Sequence, residues 1–566
     1  MLSRISCIAI LTIYVIVRFL SLDFDQPEKN MFTDSDGLGY YIYLPAIFIY
    51  ADITKYEWLP EIHEKYNVYG GEEPFQIGKH KNGNYVTNYL GGVAVLQLPF
   101  FTAGHLVSKM TDYPSDGFSP PYQFAIGIAP IFYLVLCLFL LRKVLLTYYD
   151  DTTVAVTLAL VLLATNAVEY IAIEAGQSHG YVLPLYALVL YLSMLWHNKP
   201  SGKIAFALGA TIGLATIMRP TELIMVLIPI LWNTHNKEEK SKKWALVRSN
   251  RSHLIYAFLG GVLGGGLQVV YWLYVTGNFI QTVGSKWRFL DPYWRVLVGW
   301  EKGWFIYTPI TIFFVVGLFF LKNRPFKKSV VWFCVINIWI IISWNNWRYG
   351  GSYSTRALVQ SYPVFAFAFA GFVSWVLSKK WKYLFLGFGL YLIGVNLFQV
   401  WQYRQNIIHY DDMNRAYYKA VYLDKNPTPL DMSLMNGGQV LSSSMDQQKV
   451  LFSIDSETEV NGKEILWQYT IPEYHSNTNG GLEVHLDLLV KQGYWSGKIY
   501  VRFSNRGEEV SLYTFRTFHA MTEYQKRNKY VMQLVVPRRA DKVEIGFLGD
   551  GFQGIVFEGE VLEILD

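Results

Sequence analysis

Charge is scarce in this chain: Asp, Glu, Lys and Arg make up only 16% of 566 residues. Hydrophobic residues account for 52% and aromatics for 17%, and the mean hydropathy is positive. So few charges cannot solvate an ordinary soluble protein of this length, which excludes that class. Cysteine is also sparse, at three residues. Cys7, Cys137 and Cys334 all lie inside apolar stretches, where a thiol behaves as a small hydrophobe. Neither a disulfide framework nor a thiolate metal site is indicated. No internal repeat, heptad array or low-complexity tract is visible, which argues against solenoids and coiled coils. The net charge of +5 is spread over 49 basic and 44 acidic residues and leaves no nucleic-acid footprint.

What the chain does have is a series of long apolar runs, the mark of a polytopic membrane protein in a lipid bilayer. The first, "ISCIAILTIYVIVRFLSL", lacks a small-x-small cleavage site and carries Arg18, so a retained spanning helix is expected rather than a signal peptide. Further runs of spanning or near-spanning length lie at 122–142, 154–171, 179–197, 203–219, 221–233, 253–275, 305–321, 329–344, 357–378 and 382–402. The most basic connection, "NTHNKEEKSKKWALVRSNRSH", should be cytoplasmic. Counting outward from it keeps 89–108 from crossing, which suits Pro99, Gly91-Gly92 and His105 in a re-entrant or surface-lying helix. Residues 23–121 then form one large external loop.

The expected fold class is therefore an α-helical polytopic membrane domain over 1–402, with about eleven transmembrane helices. A connector follows at 403–445. From 446 to 566 come about eight short alternating or β-branched segments, among them "KVLFSI", "GLEVHLDLLV" and "GIVFEGEVLEIL", separated by turn residues. These predict an extracytoplasmic all-β sandwich, jelly-roll-like.

The external loop opens with "MFTDSDGLGYYIYLPAIF", which places Asp34 and Asp36 at the mouth of the bundle. The aromatic and aliphatic positions after Asp36 suit a short amphipathic helix at the interface. Asp36 or Ser35 then has two readings: a cap on the helix N–H groups, or a carboxylate held ionised and aimed into a cavity. Asp34-x-Asp36-Gly begins like an EF-hand, but the later ligands are missing.

In the order of these motifs the first 402 residues resemble the C-superfamily (GT-C) glycosyltransferases, polytopic enzymes that use polyprenyl-phosphate sugars. "DSDGLGYY" looks like that family's acidic motif in the first external loop. "NYLGGVAVLQLPFFTAGHL" is similar to its proline-containing juxtamembrane segment, and "LLATNAVEYIAIEAGQSHGYVLPLYALVLYL" to the stretch around its second external loop. "GLATIMRPTELIMVLIPIL" resembles an Arg-Pro segment of bacterial members, and "SWNNWRYGGSYSTRALVQSYPVF" a Trp/Gly-rich loop with an arginine ahead of a late helix. Where some relatives carry a second acidic pair, this chain has Glu174, Gln177 and His179. No cofactor is therefore fixed, and a divalent cation stays open.

The resemblance implies a glycosyltransferase moving sugar from a polyprenyl-phosphate donor to a glycan, lipid or protein acceptor, in a bacterial inner membrane with the active site and β-domain facing the periplasm. Asp36 would act as general base or acceptor-orienting acid, with Asp34 beside it. A departing phosphate needs guanidinium partners, and Arg356, Arg348 and Arg219 are the candidates, Arg356 first. Glu174 and His179 are candidate substrate contacts, His179 weighed against a plain structural histidine. Lys286, Trp287 and Arg288, on an outer loop rich in tryptophan, could cover the acceptor. Two other classes compete. A transporter or flippase would place ionisable groups near mid-span, and a non-catalytic scaffold would leave the acids and arginines without a role.

Overall fold

The computed structural model describes residues 1–281, 284–441, 447–471, 480–521 and 523–565. The chain forms two compact units, Met1–Trp401 and Gln402–Asp566.

The first unit is helical. Among the described residues, six helices are long and apolar enough to cross a membrane: Leu2–Leu20, Pro120–Leu145, His179–Asn198, Ser252–Thr276, Arg356–Leu377 and Lys382–Arg404. The expectation of about eleven spans is thus not met by length alone, and the reason is local. The run at 154–171 is a 13-residue helix, Asp151–Leu163, followed after a break by one π-type turn, Glu169–Ile173. The run at 221–233 is a 3-10 segment, Pro220–Val226, leading into Leu227–Leu231. Pro309 divides the run at 305–321 into short pieces, as a residue with no N–H and a fixed φ does. Helix Gly202–Thr216 packs closely on Ser252–Thr276 because Gly209 and Gly213 face Gly260 and Gly264. A Cβ on any of the four would overlap backbone of the opposite helix.

Between the first two long helices the chain builds a small folded body. Ser35–Tyr41 and Tyr43–Phe48 form two short helices, followed by Leu59–Tyr66, a hairpin of β1 (Ile77–Lys79) and β2 (Tyr85–Thr87), and the helix Gly92–Lys109 with Pro99 inside it. The expected amphipathic interfacial helix after Asp36 is corrected here. Every residue from Gly37 to Ala46 is buried, enclosed by Tyr56, Trp58, Val68, Phe101, Phe118 and Tyr122. Its tyrosines pack on protein on all sides instead of lying half in lipid.

The second unit begins with short helices at Arg415–Ala420 and Pro429–Ser433, the latter closed by a capping box between Thr428 and Asp431. Nine strands follow: β3 (Gln447–Ile454), β4 (Thr458–Asn461), β5 (Ile465–Thr470), β6 (Gly481–Gln492), β7 (Lys498–Asn505), β8 (Glu508–Arg516), β9 (Arg527–Val535), β10 (Lys542–Leu548) and β11 (Gln553–Leu565). All pairings are antiparallel, in one sheet of order β5-β10-β7-β8 and another of order β3-β11-β6-β9 with β4 beside β11. Alternate residues of both sheets, such as Val484, Leu486, Leu488, Val501, Phe503 and Phe547, meet in one core. The eight segments read from sequence all appear as strands, and β4, only four residues long, is the addition.

Candidate functional site

The turn that carries Asp36 is gripped from several sides. Gln123 accepts from Phe32 N–H at 2.9 Å and donates to Thr33 Oγ1 at 2.8 Å. Ser35 donates its N–H to Val68 O at 3.0 Å, and its own carbonyl accepts from Gln76 Nε2 at 2.9 Å. These bonds hold Ser35 at φ +46°, a left-handed conformation that costs a serine about 1 kcal/mol or more. Helix Ser35–Tyr41 has no side-chain cap, so the capping reading of Asp36 fails. Its carboxylate points elsewhere.

Asp36 Oδ2 accepts from Arg356 Nη2 at 2.7 Å, and Oδ1 accepts from the Tyr89 hydroxyl. The Tyr89 ring reaches this position by lying against Gly39, where a Cβ would overlap it. The loop with Glu174 and Gln177 comes equally near: a Cβ on Gly176 would overlap Phe32 O, and Gln177 adds a favourable contribution to the Asp36 charge. Burial alone would push the Asp36 carboxyl up. The Arg356 charge, helped by bonds from Tyr89, Arg356 and Gln177, outweighs it and holds the group below its ordinary value. Tyr89 is pushed up in turn, by burial and by the Asp36 charge, so it stays a donor.

Arg356 sits on an equally constrained loop. Ser354 has φ +55° and Tyr349 φ +56°. Thr355 Oγ1 donates to Val296 O at 2.7 Å and Lys302 O at 3.1 Å, while Lys302 Nζ donates to Arg348 O at 2.9 Å and to Gly350 O. The Asp36 and Arg356 side chains are 22% and 13% exposed, so the pair is shielded without being sealed. A half-buried ion pair of this kind adds little net stability, because desolvation offsets most of its attraction. Its value lies in fixing a charge.

No protein-family model matches this chain, and no curated protein matches it. Among solved structures, the archaeal oligosaccharyltransferase AglB from Archaeoglobus fulgidus, in complex with an inhibitory peptide and a dolichol-phosphate, is similar at a TM-score of 0.41 and 12% identity. The match covers 73% of this chain and 57% of that one, so the chain spans little more than half that structure's length.

The remaining sequence candidates fall into two groups. Near the Asp36–Arg356 pair lie Glu174, whose charge acts on Arg356, and His179. His179 is 1% exposed, and its Nδ1 bonds Gln360 Oε1 at 2.7 Å, the geometry of a structural histidine. Arg219 stands 4.0 Å from Glu222, and its charge, like that of Arg356, acts on His179. The second group has other contacts. Arg348 stacks over Trp347 at 5.3 Å. Lys286 accepts from Asn345 N–H through its carbonyl, Trp287 bridges to Trp344, and Arg288 binds Asp291 and Tyr293. Asp34 occupies the N-cap position beside Asp36 without a capping bond. Sequence reasoning missed Tyr89, Glu222 and Gln360. Glu222 was signalled, as an acid set into an apolar run three positions after Arg219.

The donor set at Asp36 is adverse to a divalent cation, because the Arg356 guanidinium on its carboxylate would repel the ion. The second unit holds one cluster with metal-type ligands among the described residues: His409, Asp412 and His519. Its donor chemistry is also adverse. His409 Nδ1 accepts the N–H groups of Asp411 and Asp412, which leaves the ring proton on Nε2. Asp412 Oδ2 already takes Arg516 at 2.8 Å and His519 Nε2 at 3.1 Å, and His519 Nδ1 faces Asn436 Oδ1 at 3.0 Å. The Asp412 carboxylate is thus engaged by Arg516 and His519, while the buried His409 Nε2 has no hydrogen-bond partner. The hydrogen bond from His519, with the Arg516 charge, holds Asp412 down to about 2 against the opposing effect of burial.

Proposed function

We propose that this chain is an integral-membrane glycosyltransferase that moves a sugar from a polyprenyl-phosphate donor to an extracytoplasmic acceptor. The observation that carries the reading is the Asp36 carboxylate, held ionised by Arg356 and Tyr89 on two constrained loops. A transporter would place its ionisable groups near mid-span, whereas this pair joins two loop segments, and a scaffold would leave the pair without a role.

The chemistry follows from that ionisation. A glycosyl phosphate brings its own leaving group, so the enzyme must orient a hydroxyl and neutralise the departing charge. A carboxylate held below the ordinary range is a weak base. Asp36 therefore accepts a hydrogen bond from the acceptor hydroxyl and orients it. It takes the proton only as the new bond to the anomeric carbon forms and the hydroxyl grows acidic. The old C–O bond breaks on the opposite face, the phosphate leaves with the electron pair, and the anomeric centre inverts. Arg356 is committed to Asp36, so Arg219 becomes the first guanidinium for the phosphate in place of the sequence ranking.

The strand orders β5-β10-β7-β8 and β3-β11-β6-β9 support reading the second unit as a jelly roll, a fold used for glycan binding and for assembly alike. The reading is tested by incubating membranes that contain the protein with a panel of radiolabelled polyprenyl-phosphate sugars and added acceptors. Transfer from one donor supports it. Accumulation of intact donor in the opposite leaflet, with no transfer, would favour a flippase.

A further inference from the structure

Glu222 is an acid that the transfer step does not use, yet it is only 2% exposed. A buried carboxylate is costly unless donors and charges gather on it, and here, beside Arg219 and the Thr221 hydroxyl of its own segment, two partners come from other elements. Oε2 accepts the hydroxyl of Tyr186, from helix His179–Asn198. Oε1 accepts Gln360 Nε2 at 3.1 Å and faces Arg219 Nε at 4.0 Å. Gln360 lies in the 3-10 turn Arg356–Ser361, which begins with the partner of Asp36. With the Gln360 amide nitrogen turned to Glu222, its oxygen receives His179 Nδ1–H, so the His179 tautomer is set by the same chain of bonds.

Arg219 completes the pattern. Its side chain is 21% exposed, and among the described residues the long contact to Glu222 is its one ion pair, with no side-chain hydrogen bond. Glu222 thus faces the guanidinium from its Nε side at ion-pair distance, and among the described residues no side-chain hydrogen bond engages the two terminal nitrogens. The Arg219 and Arg356 charges both act on His179 and on Tyr349.

We propose that Glu222 is a positioning residue for the donor phosphate: it holds Arg219 by one edge and, through Gln360, ties it to the turn that carries Arg356. This rests on the glycosyltransferase reading and adds to it the group that sets its phosphate site. The carboxylate does not touch substrate, and its effect passes through the arginine.

The test is Glu222→Gln in the full chain in nanodiscs, with a fluorescent short-chain polyprenyl monophosphate as the binding probe and donor transfer as a second readout. Probe Kd and donor KM should both rise about fivefold, the size of one partly exposed ion pair, with kcat changed by less than about twofold. Arg219→Gln should act similarly, and the double variant should add little, since both remove one interaction. Unchanged probe affinity in Glu222→Gln, or effects that simply add, would overturn the proposal. If Glu222→Gln does not fold, Gln360→Met cuts the same link while Tyr186 and Arg219 still pair the acid. A raised Kd is expected there, and an unchanged one overturns the idea. Failure of the underlying reading looks different: wild type itself would neither bind the probe nor transfer sugar.

Discussion

Arg356 donates to Asp36 at 2.7 Å although 320 positions separate them in the chain. One residue lies at the start of the small body between the first two long helices, and the other opens a late helix, so the bond joins distant parts of the first unit. Removing the cation alone strands a shielded carboxylate. Arg356→Gln should lower stability by about 3 kcal/mol, the low end for a broken buried pair. Adding Asp36→Asn should recover part of that loss. Melting of the two single variants and the double variant in detergent measures the coupling, and additive losses would show the pair to be energetically idle.

The ionisation of Asp36 gives a pH dependence with a definite sign. Its folded value lies below its unfolded one, so its contribution to stability is complete above about pH 4 and is lost as the pH falls through the folded value. Transfer should therefore stay flat on the acid side from neutrality to about pH 5. A kcat/KM profile with an acid limb near pH 6 to 7 would mean that a different group carries the proton.

Tyr89 contributes the second bond to Asp36. Tyr89→Phe removes it while keeping the ring, and should slow transfer by about tenfold and move the acid limb upward. Gly39→Ala should do at least as much without touching either functional group, because its methyl would occupy the space of the Tyr89 ring. A Gly39→Ala enzyme with wild-type kinetics would show that Tyr89 is not held where the structure puts it.

Chelation separates an arginine-paired carboxylate from a metal-bound one. With the Asp36 oxygens engaged by Tyr89 and Arg356, transfer in excess EDTA should remain within about twofold of the untreated rate. Loss of activity on chelation, restored by Mn²⁺ or Mg²⁺, would show that the pair opens to admit an ion.

Much of this was readable from residue order. The alternation in "GLEVHLDLLV" marks β6 because a two-sheet core demands period two, and the apolar runs mark long helices because lipid demands them. The runs at 221–233 and 305–321 do not form helices of spanning length, since hydropathy registers composition while a regular helix also needs an unbroken hydrogen-bond ladder. Asp36 and Arg356 were both singled out, yet their pairing was invisible: contacts 320 positions apart leave no local pattern. Arg356 was ranked first for phosphate for the same reason, its partner being unseen. Tyr89 and Gln360 carry no local sequence signal, and Glu222 only its place in an apolar run, because each acts through side chains that the fold brings to it from distant segments.

The most direct test of the central claim compares wild type with Asp36→Asn in membranes supplied with a radiolabelled polyprenyl-phosphate sugar and acceptor. The account predicts transfer by wild type and a loss of about a hundredfold or more in an Asn variant that retains wild-type expression and monodispersity. Equal transfer by both proteins would contradict it and remove Asp36 from the mechanism.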